Sequence, residues 1–347
     1  MLKSFRGDTI IYTIYGPSRI DNLKKDDMVL NNDGNYSKVL DISKNHIKSS
    51  IYKIKLHNSF DNSYLTKKCK ILAIQDVPYE LKNNEVKKYI ENETRNSKPA
   101  YITINNLTDF DYIGYPIPSF NEETYDETPD YYRFYGLVAS SGFCSNFLLD
   151  INKNKDTLKF IKDFLLSRNI NYDEKINNND ILLSFSSNNL NITKFNFKYN
   201  NLNKECSTAL FKGLIELYIK DNNTEKPYIY YKTNFKFYVY IFKFLFMKFG
   251  GLISVFFYKD ASDENISYYV IRIPYNSFIK NLFNDNINAT DDDNYNYFTH
   301  NNIIWAKVKS INTIPYIGAI YSITTENNIF ATDIGIINNI DNIIDYK

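Results

Sequence analysis

Apolar residues recur at helical spacing in four places along the chain, and alternate as in strands almost everywhere else. Leu210, Phe211, Leu214, Leu217 and Tyr218 stand three and four apart, which predicts a helix containing Gly213. A glycine inside a helix costs about 1 kcal/mol against alanine, so it usually answers a packing need such as close approach of a second helix. The run YYRFYGLVASSGF from Tyr131 predicts another short apolar helix, with Gly136 inside it. After each comes a β-like run, Cys144–Ile151 or Tyr228–Thr233, and then an amphipathic helix. These helices are TLKFIKDFLLSRNI in the first case and Phe235–Phe249, stopped by Gly250-Gly251, in the second. Leu252–Tyr258 and Ser267–Ile273 read as two further strands.

The flanks are β-patterned. TIIYTIY, MVLNNDGNYSKVLDI, SSIYKIKLH and SYLTKKCKILAI alternate before residue 75, and Asn-Asp-Gly at 32–34 is a hairpin signal. A polar segment at 83–98 predicts a solvated helix or loop, and AYITINNLTDFDYIGYPIP closes the first flank. After 300 the pattern returns as NIIWAKVKSI and GAIYSITTENNIFATDIGIINN. The chain thus reads β, then α/β, then β. One β domain interrupted by an inserted module explains that order better than three consecutive domains. The expected division is 1–118 with 301–347 as the β domain, 119–130 and 285–300 as linkers, and 131–284 as the insert.

Composition narrows the field. The 347 residues suffice for two domains, and 41 Lys+Arg against 40 Asp+Glu leave a net charge of only +1, which does not advertise nucleic acid, so only a local patch would bind it. The 31 Tyr, 25 Phe and many Asn, Ile and Lys fit an AT-rich genome and devalue any single such residue. Cys69, Cys144 and Cys206 are spaced for neither a disulfide framework nor zinc, and His46, His57 and His300 share no ligand spacing. No apolar run reaches the ~18 residues of a membrane span, and the N-terminus is unlike a signal peptide. The expected location is intracellular (cytoplasm or nucleus, or a virus-encoded protein), not secreted.

The flanking blocks resemble those of inteins, or Hint domains. Ser4-Phe-Arg-Gly-Asp-Thr9 looks like the opening block, IDNLKKDDMVL the segment after it, and INNLTDFDYIGYPIP a later one. YLTKKCKIL is similar to the T-x-x-H block with Thr66 in place; WAKVKSI and the stretch ending at Asn339 resemble the closing blocks. The middle, with its two glycine-bearing helices each heading a similar unit, resembles a LAGLIDADG homing endonuclease. The fold class implied is mixed β and α/β: a split, horseshoe-like all-β Hint domain plus a pseudo-twofold α+β LAGLIDADG domain.

What those families need is only partly present. Splicing by the intein route takes an N-terminal nucleophile, a Thr/His pair on the scissile amide, a penultimate His, a terminal Asn and a following nucleophile. Here Ser4, Thr66 and Asn339 are available, but Cys69 replaces the first His, Asn338 the second, and Ile340 the last nucleophile. A neutral thiol does not titrate like imidazole. Ser322 takes the place of an aspartate common in the closing block, and only Met1–Lys3 precede Ser4. In the endonuclease family each interface helix ends in an acid that holds Mg²⁺ at the scissile phosphates. Those positions are Ser141 and Tyr218, five residues after Gly136 and Gly213; Glu216 and Asp221 are near but off register. The resemblance therefore implies a scaffold that has lost both chemistries, needs no cofactor, and calls for Mg²⁺ only if residual nuclease activity survives through shifted carboxylates. Its implied partner is double-stranded DNA, met by sheet strands, with Lys194, Lys198 and Lys232 as contacts. A structural or protein-interaction subunit remains the alternative. Having both interface helices in one chain implies a monomer.

Overall fold

The structure is a computed structural model that describes residues 3–59, 61–75, 77–78, 81, 83–91, 98–122, 127–186, 190, 192, 196–221, 228–259, 267–283 and 296–339. It contains large antiparallel sheets and six α-helices among these residues: α1 (Asn83–Glu91), α2 (Pro129–Ser140), α3 (Lys155–Ser167), α4 (Lys204–Ile215), α5 (Lys236–Met247) and α6 (Ser277–Phe283). Among the described residues no helix is long and apolar enough to cross a membrane. The chain forms two compact units, one of 1–119 with 221–347 and one of 120–220.

In the first unit two long strands dominate. Tyr36–Leu56 and Ile303–Thr325 pair antiparallel from Val308 opposite Leu56 to Thr325 opposite Val39, with register breaks at Val308/Ser310 and Thr324/Thr325. The sequence reads each as two shorter pieces; in the second, Pro315 and Gly318 break the apolar rhythm. Pro315 lies opposite Ser50 within the ladder, where a missing N–H removes one bond and leaves the strand intact. The ends of both strands enter the core, which gathers Phe5, Ile11, Tyr12, Val39, Ile54 and Phe330. Phe5 pairs with both Leu65 and Tyr321, and Asn338 with Lys70, so both flanks of the sequence meet in one sheet. The run SYLTKKCKILAI divides into Ser63–Leu65 and Lys70–Ile74, with Thr66–Cys69 as the turn between them.

Helix α5 joins the same core through Tyr240, Phe244 and Met247, and Phe244 stacks on Tyr12 at 5.5 Å. Gly250, with φ +73°, takes the left-handed conformation just beyond its end. Beside it Tyr228–Thr233, Ser267–Pro274 and Ser254–Lys259 form an antiparallel sheet. Alternation sends Ile229, Tyr231, Ile271 and Ile273 inward, where Tyr231 meets Phe242 of α5 at 4.4 Å.

In the second unit, Asn146–Asp150, Asp180–Phe185 and Tyr172–Asn177 form a three-stranded sheet. Phe147, Leu149, Ile181 and Leu183 are buried on one face of it. Phe134 of α2 stacks on Phe164 of α3 at 4.4 Å and meets Phe147 and Phe185 edge-on. Thr128 caps α2, accepting from the Tyr131 N–H, and Pro129 occupies its first turn.

Candidate functional sites

Three places collect the residues singled out above, and the first surrounds the Lys3–Ser4 peptide bond. Ser4 is fully buried; its N–H donates to Thr66 Oγ1 at 3.0 Å, and the Thr66 N–H donates back to the Ser4 carbonyl at 2.9 Å. Ser322 Oγ donates to the Lys3 carbonyl oxygen at 2.8 Å and lies 2.6 Å from Ser4 Oγ. Ser322 has a single hydroxyl proton, which is committed to Lys3, so Ser4 is the donor in that short contact. The peptide is thus held at its carbonyl, its N–H and its neighbouring hydroxyl.

No base faces Ser4 in these contacts. Cys69 Sγ lies 3.6 Å from Thr66 Oγ1 and donates to the Ser4 carbonyl at 3.5 Å. Burial pushes its thiol up to about 11, so it stays protonated at neutral pH. The Asn339 side-chain amide donates to the Ile323 carbonyl at 2.7 Å, and its main-chain N–H donates to Asn328. Asn338 is a ladder residue opposite Ile329. Lys3, Thr66, Ser322 and Asn339 line a common cavity of about 660 Å³, and exposed His46 lines it too. Ile340 lies outside the described residues.

The second place is the crossing of α2 and α4. A Cβ on Gly136 would stand 2.5 Å from the Leu210 carbonyl oxygen and 2.8 Å from the Leu214 nitrogen. One on Gly213 would collide with the Arg133 carbonyl oxygen and come within 3.0 Å of the Leu137 nitrogen. The two glycines therefore sit at the point where the backbones touch. Helix α4 ends at Ile215, earlier than the apolar spacing through Tyr218 predicts, and the chain turns by a Tyr218 N–H bond to the Ile215 carbonyl. Tyr218 OH then donates to the Ser140 carbonyl at 2.8 Å, so its ring reaches the carboxyl end of α2. Ser141 turns its hydroxyl back on the Val138 carbonyl at 2.9 Å.

Glu216 is engaged elsewhere. Its carboxylate accepts two bonds from Arg133, at 2.9 and 3.2 Å, with its side chain only 3% exposed. The Arg133 guanidinium also lies 3.9 Å over the Phe160 ring. A hard divalent cation at these helix ends would meet two hydroxyls bound to carbonyls and a carboxylate neutralised by Arg133, which does not fit Mg²⁺. Among the described residues no group of three or more His, Cys, Asp and Glu is placed to hold a metal. The Asp221 side chain lies outside the description.

The third place is the pair of open sheet faces, one in each unit. In the first unit the face opposite Ile229 and Ile271 carries Tyr228, Tyr230, Lys232, Phe256, Tyr258, Tyr268 and Arg272. Lys232 Nζ lies 3.6 Å over Tyr268, and the Arg272 guanidinium 4.2 Å over Phe256. None of these three strands contains Asp or Glu, while the fourth strand of the sheet, Ile219–Asp221, ends in Asp221. Arg272 is absent from the sequence expectation, although the alternation of SYYVIRIP places it on the face opposite Ile271. In the second unit the open face carries Asp150, Asp173 and Asp180 with Lys175, around a Leu148 that is 71% exposed. Lys198 is exposed in a 3-10 turn, Phe197–Asn201, and lies on no strand; Lys194 falls outside the described residues.

Comparison with solved structures finds partial, low-scoring likenesses to homing endonucleases and to an intein. No protein-family model and no curated protein matches the sequence. Mesophilic variants of the homing endonuclease I-DmoI align with 46% of this chain and 98% of theirs, at 13% identity and a TM-score of 0.33. I-DmoI in complex with DNA and Mn aligns with 45% of this chain and 94% of its own, at 14% identity and a TM-score of 0.33. The gp41-1 intein aligns over 20% of this chain and 53% of its own, at 26% identity and a TM-score of 0.18.

Proposed function

We propose that the protein binds duplex DNA on an intein-like and homing-endonuclease-like frame from which splicing and cleavage chemistry have been lost. The observation that carries this reading is the open sheet face of Lys232 and Arg272 among five aromatic rings, with no carboxylate in the three strands that supply them. An antiparallel ribbon fits the major groove, and guanidinium and ammonium groups reach phosphates and base edges. Cation–ring contacts hold both basic side chains over the face before a ligand arrives.

Loss of chemistry is supported at both centres. Ser322 donates to the Lys3 carbonyl beside Ser4, and among the described hydrogen-bond partners of Ser4 none is a base. Tyr218 and Ser141 stand where Mg²⁺ would need carboxylates. The acidic open face of the second unit opposes phosphate contact there, so the basic face in the first unit carries the reading alone. That acidic face, with exposed Leu148, is what favours protein interaction as the second reading.

The test is an electrophoretic shift with random duplex DNA over a salt series. Two phosphate contacts give a slope of about −1.8 in log affinity against log salt, or roughly a tenfold loss between ~50 and ~200 mM. Replacing Lys232 and Arg272 by alanine should flatten that slope toward zero. No shift at low salt, or an unchanged slope in the double variant, would sink the DNA reading. The chemical part is checked by intact mass after prolonged incubation. Loss of the residues before Ser4, or of those after Asn339, refutes it.

A further inference from the structure

The cavity of about 660 Å³ beside Ser4 has the size of a small-molecule site. Lys3 and Lys68 line it, and among the described residues no Asp or Glu does. The rest of the lining is Ser and Thr hydroxyls, Asn amides, isoleucines and the His46 imidazole, with no Phe, Tyr or Trp. One wall comes from the strand Tyr36–Leu56, where alternation puts Asn45, Ile47 and Ser49 on a common face. Thr66 and Ser322 close the end beside Ser4, but their hydroxyls already serve the Ser4 N–H and the Lys3 carbonyl.

Lys68 is exposed and enters no hydrogen bond or ion pair with the described residues. The side chains of Asn45 and Ser49 are likewise uncommitted among them. A second cavity of the same unit, of about 500 Å³, shows the contrast, because its charges are already balanced. There Arg6 pairs with Asp8, Arg19 with Asp21, and Lys236 with Asp61 at 2.5 Å. Asp333, also in that lining, accepts from Ser63 Oγ at 2.8 Å and has the buried Lys243 ammonium as its counter-charge. Beside Ser4 no carboxylate plays that part, so Lys68 must take its counter-charge from solution.

We propose that the cavity beside Ser4 binds a small hydroxylated oxyanion, a sugar phosphate or a hydroxycarboxylate, with its anionic head on Lys68 and its hydroxyls on Asn45 and Ser49. An ammonium and an oxyanion make a charge-assisted bond, the strong class of hydrogen bond. Asn and Ser side chains both donate and accept, as the hydroxyls of a polyol do. Nucleic-acid bases are held by stacking on aromatic side chains, and a lining without Phe, Tyr or Trp therefore suits a polyol body better than a nucleotide. The proposal is independent of DNA binding, since none of its residues lies on the Lys232–Arg272 face.

The experiment is calorimetric titration of the full chain with ribose 5-phosphate, citrate and ribose at matched ionic strength. At least one of the two anions should bind, and which one does tells a phosphate head from a carboxylate head. Ribose, which has the hydroxyls without the charge, should bind at least tenfold more weakly. Lys68→Gln should weaken the bound anion by about tenfold, the scale of one charge-assisted bond. Lys67→Gln is the control: Lys67 is exposed next to Lys68 but does not line the cavity, and its loss should leave the affinity unchanged. Asn45→Ala with Ser49→Ala should weaken the anion severalfold through its hydroxyls. Lys68 is exposed and unpaired, so its substitution leaves the fold intact. The proposal is overturned by absence of heat with both anions up to about 10 mM. Equal binding of ribose overturns it too, as does unchanged affinity in Lys68→Gln or an equal loss in Lys67→Gln.

Discussion

Replacing Gly213 by alanine tests the helix crossing directly. Two effects compete. Alanine gains about 1 kcal/mol over glycine in a helix interior. Against that, the new methyl would lie on the Arg133 carbonyl oxygen and within 3.0 Å of the Leu137 nitrogen. Both are backbone atoms, which cannot swing aside as a side-chain tip would. The helices must separate, opening the contacts of buried Leu137, Leu210 and Leu214. Overpacking against backbone costs about 3 kcal/mol or more at the upper end of such substitutions, so steric strain should win by about 2 kcal/mol. In a unit of this size that lowers the melting temperature by roughly 8–15 °C. Gly142→Ala is the control. With φ +77° and no atom within 4 Å of its added Cβ, it pays only for the left-handed conformation, about 1–2 kcal/mol, with no dependence on helix spacing. Calorimetry of the two variants, with Gly136→Ala as a second probe of the contact, measures the difference. A Gly213→Ala protein as stable as the parent would refute the close crossing.

Arg133→Met should cost about 3–5 kcal/mol because it strands the buried Glu216 carboxylate, while Arg133→Met with Glu216→Gln should recover much of it; chemical denaturation reads both. In the native protein Cys144 should label rapidly with a thiol reagent near pH 8, whereas buried Cys69, its thiol held at about 11, labels only on unfolding; mass spectrometry of the labelled chain checks this. Asp333 is raised to about 6, above its unfolded value, so its contribution to stability is fully present below about pH 4 and is lost as pH rises through 6. Asp333→Asn should therefore gain on the parent between those limits, and denaturation midpoints across the range report it.

The parts of this architecture visible in the sequence are those encoded by local rhythm. Gly136 and Gly213 stand out because an apolar period of three and four surrounds them, and Tyr228–Thr233 because it alternates. The long strands are not legible as units. Their middles are half exposed, and Pro315 and Gly318 look like punctuation until Ser50 and Ile47 are set opposite them. The bonds that matter most at Ser4 span more than 300 positions to Ser322, and no local signal announces such a pair. Tyr218 reads as one more apolar residue in a helix, yet the helix stops before it and its phenol serves the Ser140 carbonyl. Asp333 is invisible for a different reason. In the sequence it is one acid in a turn, and only the folded chain surrounds it with Ser63, Lys243 and a cavity.

The pairing of Tyr36–Leu56 with Ile303–Thr325 also bears on how the protein is made. About 250 residues lie between the two strands. At roughly 5–20 residues per second a ribosome needs ~12–50 s to supply the second after the first has emerged. Through that interval the ends of Tyr36–Leu56 have local partners in Met28–Leu30 and Ser63–Leu65, but the stretch from about Leu40 to Ile51 has none in the ladder. It is a nascent strand edge, and it carries Lys44 and Lys48 with His46 between them on one face. Exposed charge of that kind along a strand edge discourages pairing with a neighbouring chain. The half-polar pattern that hides this strand from a reading of the sequence thus also guards it on the ribosome until its partner is synthesised.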